Sequence, residues 1–223
     1  MYEIVKTYRQ QKKFENTWEY FCEKYGWYND PYAKNGVRYN LLLPMGNSIR
    51  QKEVIGTIEF IPYDPRNPNS TVEGPSRFEF SKYDEIRLHQ NRIWEIDKLC
   101  IHKEYQRQGY FQHFMHVFYD HANRNNPKYY LALIEKKLFR MLRISFGFRV
   151  EQKGEAYVGP NTVLIPVVFD IEKMMQDEET VKTILATTQS FQEYNVRKSH
   201  SKMSVIHQDQ SNKISFFKKL FGR

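Results

Sequence analysis

Residues 93–111 read Ile93-Trp-Glu-Ile-Asp-Lys-Leu-Cys-Ile101-His-Lys-Glu-Tyr-Gln-Arg-Gln-Gly-Tyr-Phe111. The first nine predict a strand, with Ile93, Glu95, Asp97, Leu99 and Ile101 on one face and Trp94, Ile96, Lys98 and Cys100 on the other. A turn over His102–Gln108 follows, then a helix from about Gly109 to Asn123, whose apolar stripe is Phe111, Phe114, Met115, Phe118 and Ala122. Asn125-Asn-Pro127 stops that helix, and Tyr129–Ile134 reads as a short buried strand. A strand–helix–strand unit of this kind places two parallel strands side by side through a right-handed crossover.

Upstream, Tyr2–Thr7 suits a short strand, and Phe14–Tyr25 carries apolar residues at helical spacing before Gly26. Val37–Leu43 and Val54–Ile61 are β-rich and predict an antiparallel pair. Pro62–Asn91 is a long connection with four prolines, of the length that functional loops have, with room for a short helix near 77–87. Downstream, Lys136–Phe146 predicts a helix capped by Gly147. Arg149–Gln152 and Thr162–Phe169 predict strands, and Ile171–Gln192 a final helix. The order predicts an α/β fold with a mixed, partly antiparallel central sheet and helices on both faces. The expected division is a folded domain over 1–192 and a basic tail over 193–223.

The chain has 223 residues, 40% of them apolar, and includes 16 Phe and 16 Tyr, which indicates a packed core rather than a disordered chain. The net charge of +8 is unevenly placed. Residues 195–223 hold seven Lys and Arg against Asp209 alone, so the body before them is near neutral. That distribution argues against a nucleic-acid-binding domain. No apolar run has the length of a membrane span, and Met1-Tyr-Glu-Ile-Val-Lys lacks a secretory pattern. Two cysteines, Cys22 and Cys100, make a disulfide framework improbable, so the expected setting is a reducing cytoplasm.

The turn before the helix bears chemistry on geometry alone. Free N–H groups at a helix start favour an anion, Gly109 lets a ligand approach the main chain, and Arg107 adds a charge. The same stretch also fits an ordinary strand-to-helix turn. His113 and His116 are three apart on one helix, a spacing for metal or for a solvated face; the absence of a third ligand in sequence favours the latter. Cys100, on a strand and with no His or Asp placed by sequence to activate it, reads as an inert thiol. The tail 211–223 places Ile214, Phe217, Leu220 and Phe221 on one helical face among lysines, which suits an anionic membrane surface or an acidic partner.

Trp94–Tyr110 resembles the strand, turn and helix start of the GNAT (Gcn5-related N-acyltransferase) superfamily. In that family a Gln/Arg-x-x-Gly-x-Gly/Ala motif binds the pyrophosphate of coenzyme A or the phosphopantetheine arm of a carrier protein. Here it stands as Gln106-x-x-Gly109, with Phe111 at the last small position. Leu142–Phe148 resembles the family's helix ending in Gly-Phe, with Arg143 where many members have a tyrosine acid. Glu23–Trp27, Val54–Pro62, the proline-rich connection and Trp94-Glu-Ile-Asp-Lys98 are arranged as in the acyl-homoserine-lactone synthases and N-acyl amino acid synthases. The subgroup's Trp-Glu-x-x-Arg ends in Lys98 here, and its arginine after Gly-Thr is Glu59.

The resemblance implies an N-acyltransferase. It would move an acyl group from acyl-CoA, acetyl-CoA or acyl-carrier protein to a small-molecule amine. Leu99, Cys100, Ile101, Gln106, Arg107, Gln108, Gly109, Tyr110 and Phe111 would hold the thioester's pantetheine and phosphates. Trp27, Asp97 and Lys98 would face the substrate. Glu95 is the candidate base, because the attacking amine must be neutral; it reads equally as a structural carboxylate paired with Lys98 or Arg92. No metal is expected. The rival expectation is a binding module that keeps the fold, lacks turnover and is recruited by its tail.

Overall fold

The computed structural model describes residues 1–43, 53–146, 150–158, 163–179, 181–182 and 185–186. The chain divides into two units, Met1–Ile184 and Leu185–Arg223; the fold below is that of the first, and the basic tail and Gly147 lie outside the described residues.

Strand β1 (Tyr2–Ile4) leads into α1 (Tyr8–Tyr25). The helix begins six residues before the apolar spacing shows, because a capping box sets its start. Thr7 Oγ1 accepts from Gln10 N, and Gln10 Oε1 accepts from Thr7 N. Gly26, left-handed at φ 65, ends it as expected. β2 (Val37–Leu43) and β3 (Glu53–Pro62) pair antiparallel, and β3 pairs antiparallel with β4 (Ile93–Ile101). Between them, the long connection folds into 3-10 turns at Phe80–Lys82 and Gln90–Arg92 around α2 (Asp84–Leu88). α3 (Gln112–Asn125), β5 (Tyr129–Glu135) and α4 (Lys136–Phe146) follow. Then come β6 (Val150–Gln152), β7 (Tyr157–Val158), β8 (Val163–Asp170) and α5 (Ile171–Gln176).

The sheet order is β1-β2-β3-β4-β5-β8-β6, with β7 also on β8, and β4–β5 is its parallel pair. β7 escaped the sequence reading because it is two residues long. The expected final helix is interrupted: α5 ends at Gln176, and the described residues 178–179 and 181–182 are helical again. Asp177 leaves helical geometry, and Val181 N donates to Asp177 O, so Asp177 starts a new turn instead of continuing α5.

On one face, Phe114, Met115 and Phe118 of α3 pack with Phe60, Ile96, Tyr130, Val167 and Phe169. Each such fully buried side chain contributes about 1.5–3 kcal/mol. On the other face, Trp18, Phe21 and Cys22 of α1 cover Cys100. Beside them, Tyr63, Val72, Phe80 and Ile86 of the connection cover Ile93, Leu131 and Val168. His113 is buried rather than solvated, and burial pushes its imidazole down to about 4. Among the described residues no cluster suited to a metal occurs, and no helix is long and apolar enough to cross a membrane.

Candidate functional site

The site begins with an irregularity in β4. Thr57 pairs with Cys100 and Glu59 with Asp97, so β4 uses three residues where β3 uses two. The extra residue is Lys98, at φ 50, a left-handed conformation that a residue with a β-carbon adopts at some cost. The bulge breaks the strict alternation read from the sequence. Leu99 and Ile101 join Trp94 and Ile96 against the α3 core, whereas Cys100 turns to Trp18 and Phe21 under α1. Lys98 therefore shares a side with Asp97. Its Nζ lies 2.5 Å from Asp97 Oδ2 and 3.1 Å from Glu59 Oε2, over the Tyr32 ring. Burial pushes Lys98 down, but Asp97 and Glu59 outweigh it and hold the amine above its ordinary value. Arg38 completes the cluster, with Nη2 2.7 Å from Glu59 Oε1.

The second feature is a split. β4 and β5 pair only over Ile93–Glu95 and Tyr129–Leu131, then separate. A cavity of about 730 Å³ occupies this region. One part of its wall is apolar, from Leu99, Leu133, Leu138 and Leu164 with Trp27 and Tyr28. Another is polar, from Asp30, Thr71, Arg77, Asp97 and Lys98. The α1 cap places Trp27: Trp27 N donates to Cys22 O, and the indole stacks on Phe21 and Tyr25.

Of the residues singled out in sequence, Trp27, Asp97, Lys98 and Leu99 line this cavity. Glu95 is not part of its wall. Fully buried, it accepts from Ser70 Oγ (2.7 Å), Thr71 N (2.8 Å) and Thr71 Oγ1 (2.9 Å), and it pairs with neither Lys98 nor Arg92. Arg92 instead meets Glu172. Burial pushes Glu95 up to about 7 despite the donors from Ser70 and Thr71. Cys100 is sealed beside Thr57, and burial pushes its thiol up to about 12.

The turn stands apart from the cavity wall. Gln106 Nε2 donates to Ile101 O and closes the end of β4, and Gln108 Nε2 donates to Glu104 O. Arg107 at φ 59 and Gly109 at φ 81 are both left-handed. Among the described residues, the N–H groups of Arg107, Gln108 and Gly109 donate to no main-chain carbonyl. Phe111 packs edge-on against Phe114, and Tyr110 edge-on against Tyr105.

Among the cavity residues not singled out in sequence are Asp30 and Arg77, which form an ion pair there. Arg77 Nη2 lies 2.5 Å from Asp30 Oδ1, and Nη1 donates to Thr71 O at 2.8 Å. Burial, with Asp97 adding to it, pushes Asp30 up to about 6 against Arg77. The two are far apart in sequence and sit in no motif; the only local hint was a charged residue inside a loop too long to be a plain connection.

No protein-family model matches the chain, and no curated protein matches it. Solved structures are similar in fold. The CoA-dependent acyl-homoserine lactone synthase BjaI, with SAM and isopentyl-CoA, has a TM-score of 0.54 at 13% identity over 82% of this chain and 87% of its own. FeeM, an N-acyl amino acid synthase from uncultured soil microbes, has a TM-score of 0.52 at 14% identity over 77% and 91%. The CoA-dependent acyl-homoserine lactone synthase MesI has 0.51 at 14% over 86% and 95%. The mixed sheet flanked by helices is thus a fold shared with acyltransferases.

Proposed function

We propose that the chain is an N-acyltransferase of the GNAT type, transferring an acyl group from a CoA or carrier-protein thioester to a small-molecule amine. The observation that carries this reading is the parting of β4 from β5 beside a cavity with apolar and acidic parts. The acyl chain lies along Leu99, Leu133, Leu138 and Leu164, and the amine lies at Asp97, beside Trp27 and Lys98. The volume, within the range of small-molecule sites, suits a medium or long chain. Where β4 loses its partner, the main chain of Leu99, Cys100 and Ile101 offers hydrogen bonds to a pantetheine arm. The amides of Arg107, Gln108 and Gly109, with the Arg107 guanidinium, take its phosphates, and Gln106, Tyr110 and Phe111 frame them. In this reading Glu95 shapes the wall by holding Thr71 and does not itself meet the substrate.

The donor is acidic in either form, and α4 supplies a complement. Lys136, Lys137, Arg140 and Arg143 are exposed on the helix whose Leu138 lines the cavity, and none has a carboxylate partner among the described residues. The binding-module reading rests on Arg143, an exposed cation stacked over Phe139 where the family resemblance has a tyrosine acid.

Turnover separates the two. The purified chain is incubated with acetyl-CoA, palmitoyl-CoA or an acyl-carrier thioester and a panel of primary amines, and amine-dependent thiol release is scored. Release with at least one donor is the expected result. Binding of a donor with no release under any condition would leave the module.

A further inference from the structure

We infer that Asp30 is the carboxylate that takes the proton from the acceptor amine, and that Arg77, Thr71 and Glu95 form the strut that positions it; this rests on the acyl-transfer reading of the same cavity.

Four carboxylates compete for the task. Glu135, at the end of β5 opposite Leu164, lies by the apolar Leu138 and Leu164 where the acyl chain runs, and it already has an interaction of its own. Glu95 is sealed beneath Thr71, with both oxygens occupied by donors. Asp97 reaches the cavity, but its Oδ2 is committed to Lys98, an ammonium closed from behind by Glu59. Asp30 reaches the cavity, its side chain is 14% exposed, and it spends Oδ1 on Arg77. Its Oδ2 has no partner among the described residues, so a proton can be accepted there without breaking the ion pair.

The position of Asp30 is set at a distance. It lies in the irregular segment after α1 and has no secondary structure of its own. Arg77 grips it from the long connection, and the Arg77 guanidinium is braced on Thr71 O. Thr71 is in turn pinned to the central strand, because its N–H and hydroxyl both donate to Glu95 Oε2. The chain Glu95–Thr71–Arg77–Asp30 ties two irregular connections to β4 along the cavity. This gives the buried Glu95 a function that its distance from the cavity otherwise denies it.

The step balances. The bound ammonium gives one proton to Asp30 Oδ2, and the neutral nitrogen attacks the thioester carbonyl. A C–N bond forms and the C–S bond breaks. A second nitrogen proton goes to the departing thiolate, and Asp30 later returns its proton to water. A base titrating near 6 suits the task. The groups that set that value are Asp97 and Lys98 from β4 and Arg77 from the connection, with Cys22 of α1 a neutral thiol nearby.

The test uses the full chain with whichever donor and amine support turnover. D30N is expected to lower kcat at least ~100-fold with the KM for the thioester changed less than about twofold. R77Q removes the facing cation, so the acid limb of the kcat profile, expected near pH 6, moves to higher pH, and R77K returns it part of the way. Thermal melts confirm that each variant folds. D30N with near-normal kcat, or an acid limb unmoved in R77Q, overturns this inference and leaves acyl transfer standing. A wild-type chain that turns over no thioester overturns both.

Discussion

Lys98 Nζ and Glu59 Oε2 lie 3.1 Å apart with both side chains fully buried, so the sheet carries an ion pair beneath the cavity. Such a pair is costly to desolvate but costlier to break: without Lys98, Glu59 keeps only Arg38 and Asp97 loses its cation. K98M is therefore expected to lose on the order of 3–5 kcal/mol of stability, and the double variant K98M/E59L to regain part of it, since Arg38 and Asp97 then lack these partners. Urea unfolding of both checks this; a double variant no better than K98M would show that the pair is not the cause.

Glu95 makes stability depend on pH. Its folded value, about 7, lies above its ordinary 4.5. The contribution is thus fully present below pH 4.5 and is lost as pH rises through 7, because the folded state must ionise a buried carboxyl. The size is on the order of 3 kcal/mol at 1.36 kcal/mol per unit. Unfolding midpoints from pH 4.5 to 8 should fall more in the wild type than in E95Q; parallel curves would contradict the assignment.

Gly56 sits opposite Ile101, where a β-carbon would come 2.4 Å from the Cys100 carbonyl oxygen. Main chain cannot yield as a flexible side chain does. G56A is expected to cost about 1–3 kcal/mol and to loosen β3 from β4 next to the bulge. Amide exchange on Thr57 and Ile58 reads that loosening directly.

Charge on α4 should govern donor capture rather than chemistry. K137E/R140E is expected to raise the KM for acidic thioesters roughly tenfold at low salt, with kcat held, and to flatten the salt dependence. An uncharged pantetheine thioester, assayed alongside, should show no such change.

Most of the architecture was legible in the residues. The nine-residue span of β4, the Gly26 stop, the parallel β4–β5 unit and the β2–β3 pair follow from local alternation, turn chemistry and the right-handed crossover. Where the reading slipped, the deciding interaction was polar or a break in register. Thr7 and Gln10 start α1 among residues with no apolar rhythm, and Asp177 interrupts a helix whose apolar pattern continues.

The site was legible only in part. Trp27, Asp97, Lys98 and Leu99 stand out in the segment that resembles acyltransferases, and they do line the cavity. Glu95 stood out for the same reason, yet it lies behind the wall, because Ser70 and Thr71 fold over it from a loop whose path no periodicity specifies.

By itself the sequence determined the strands, the helices and their order, since those depend on neighbours within a few positions. Tertiary structure alone decided which side chains share a face of β4 and which carboxylate is exposed to the cavity. One extra residue at Lys98 reverses the alternation only when β3 is present to define the register. Asp30 and Arg77 become partners only when two connections meet along a central strand.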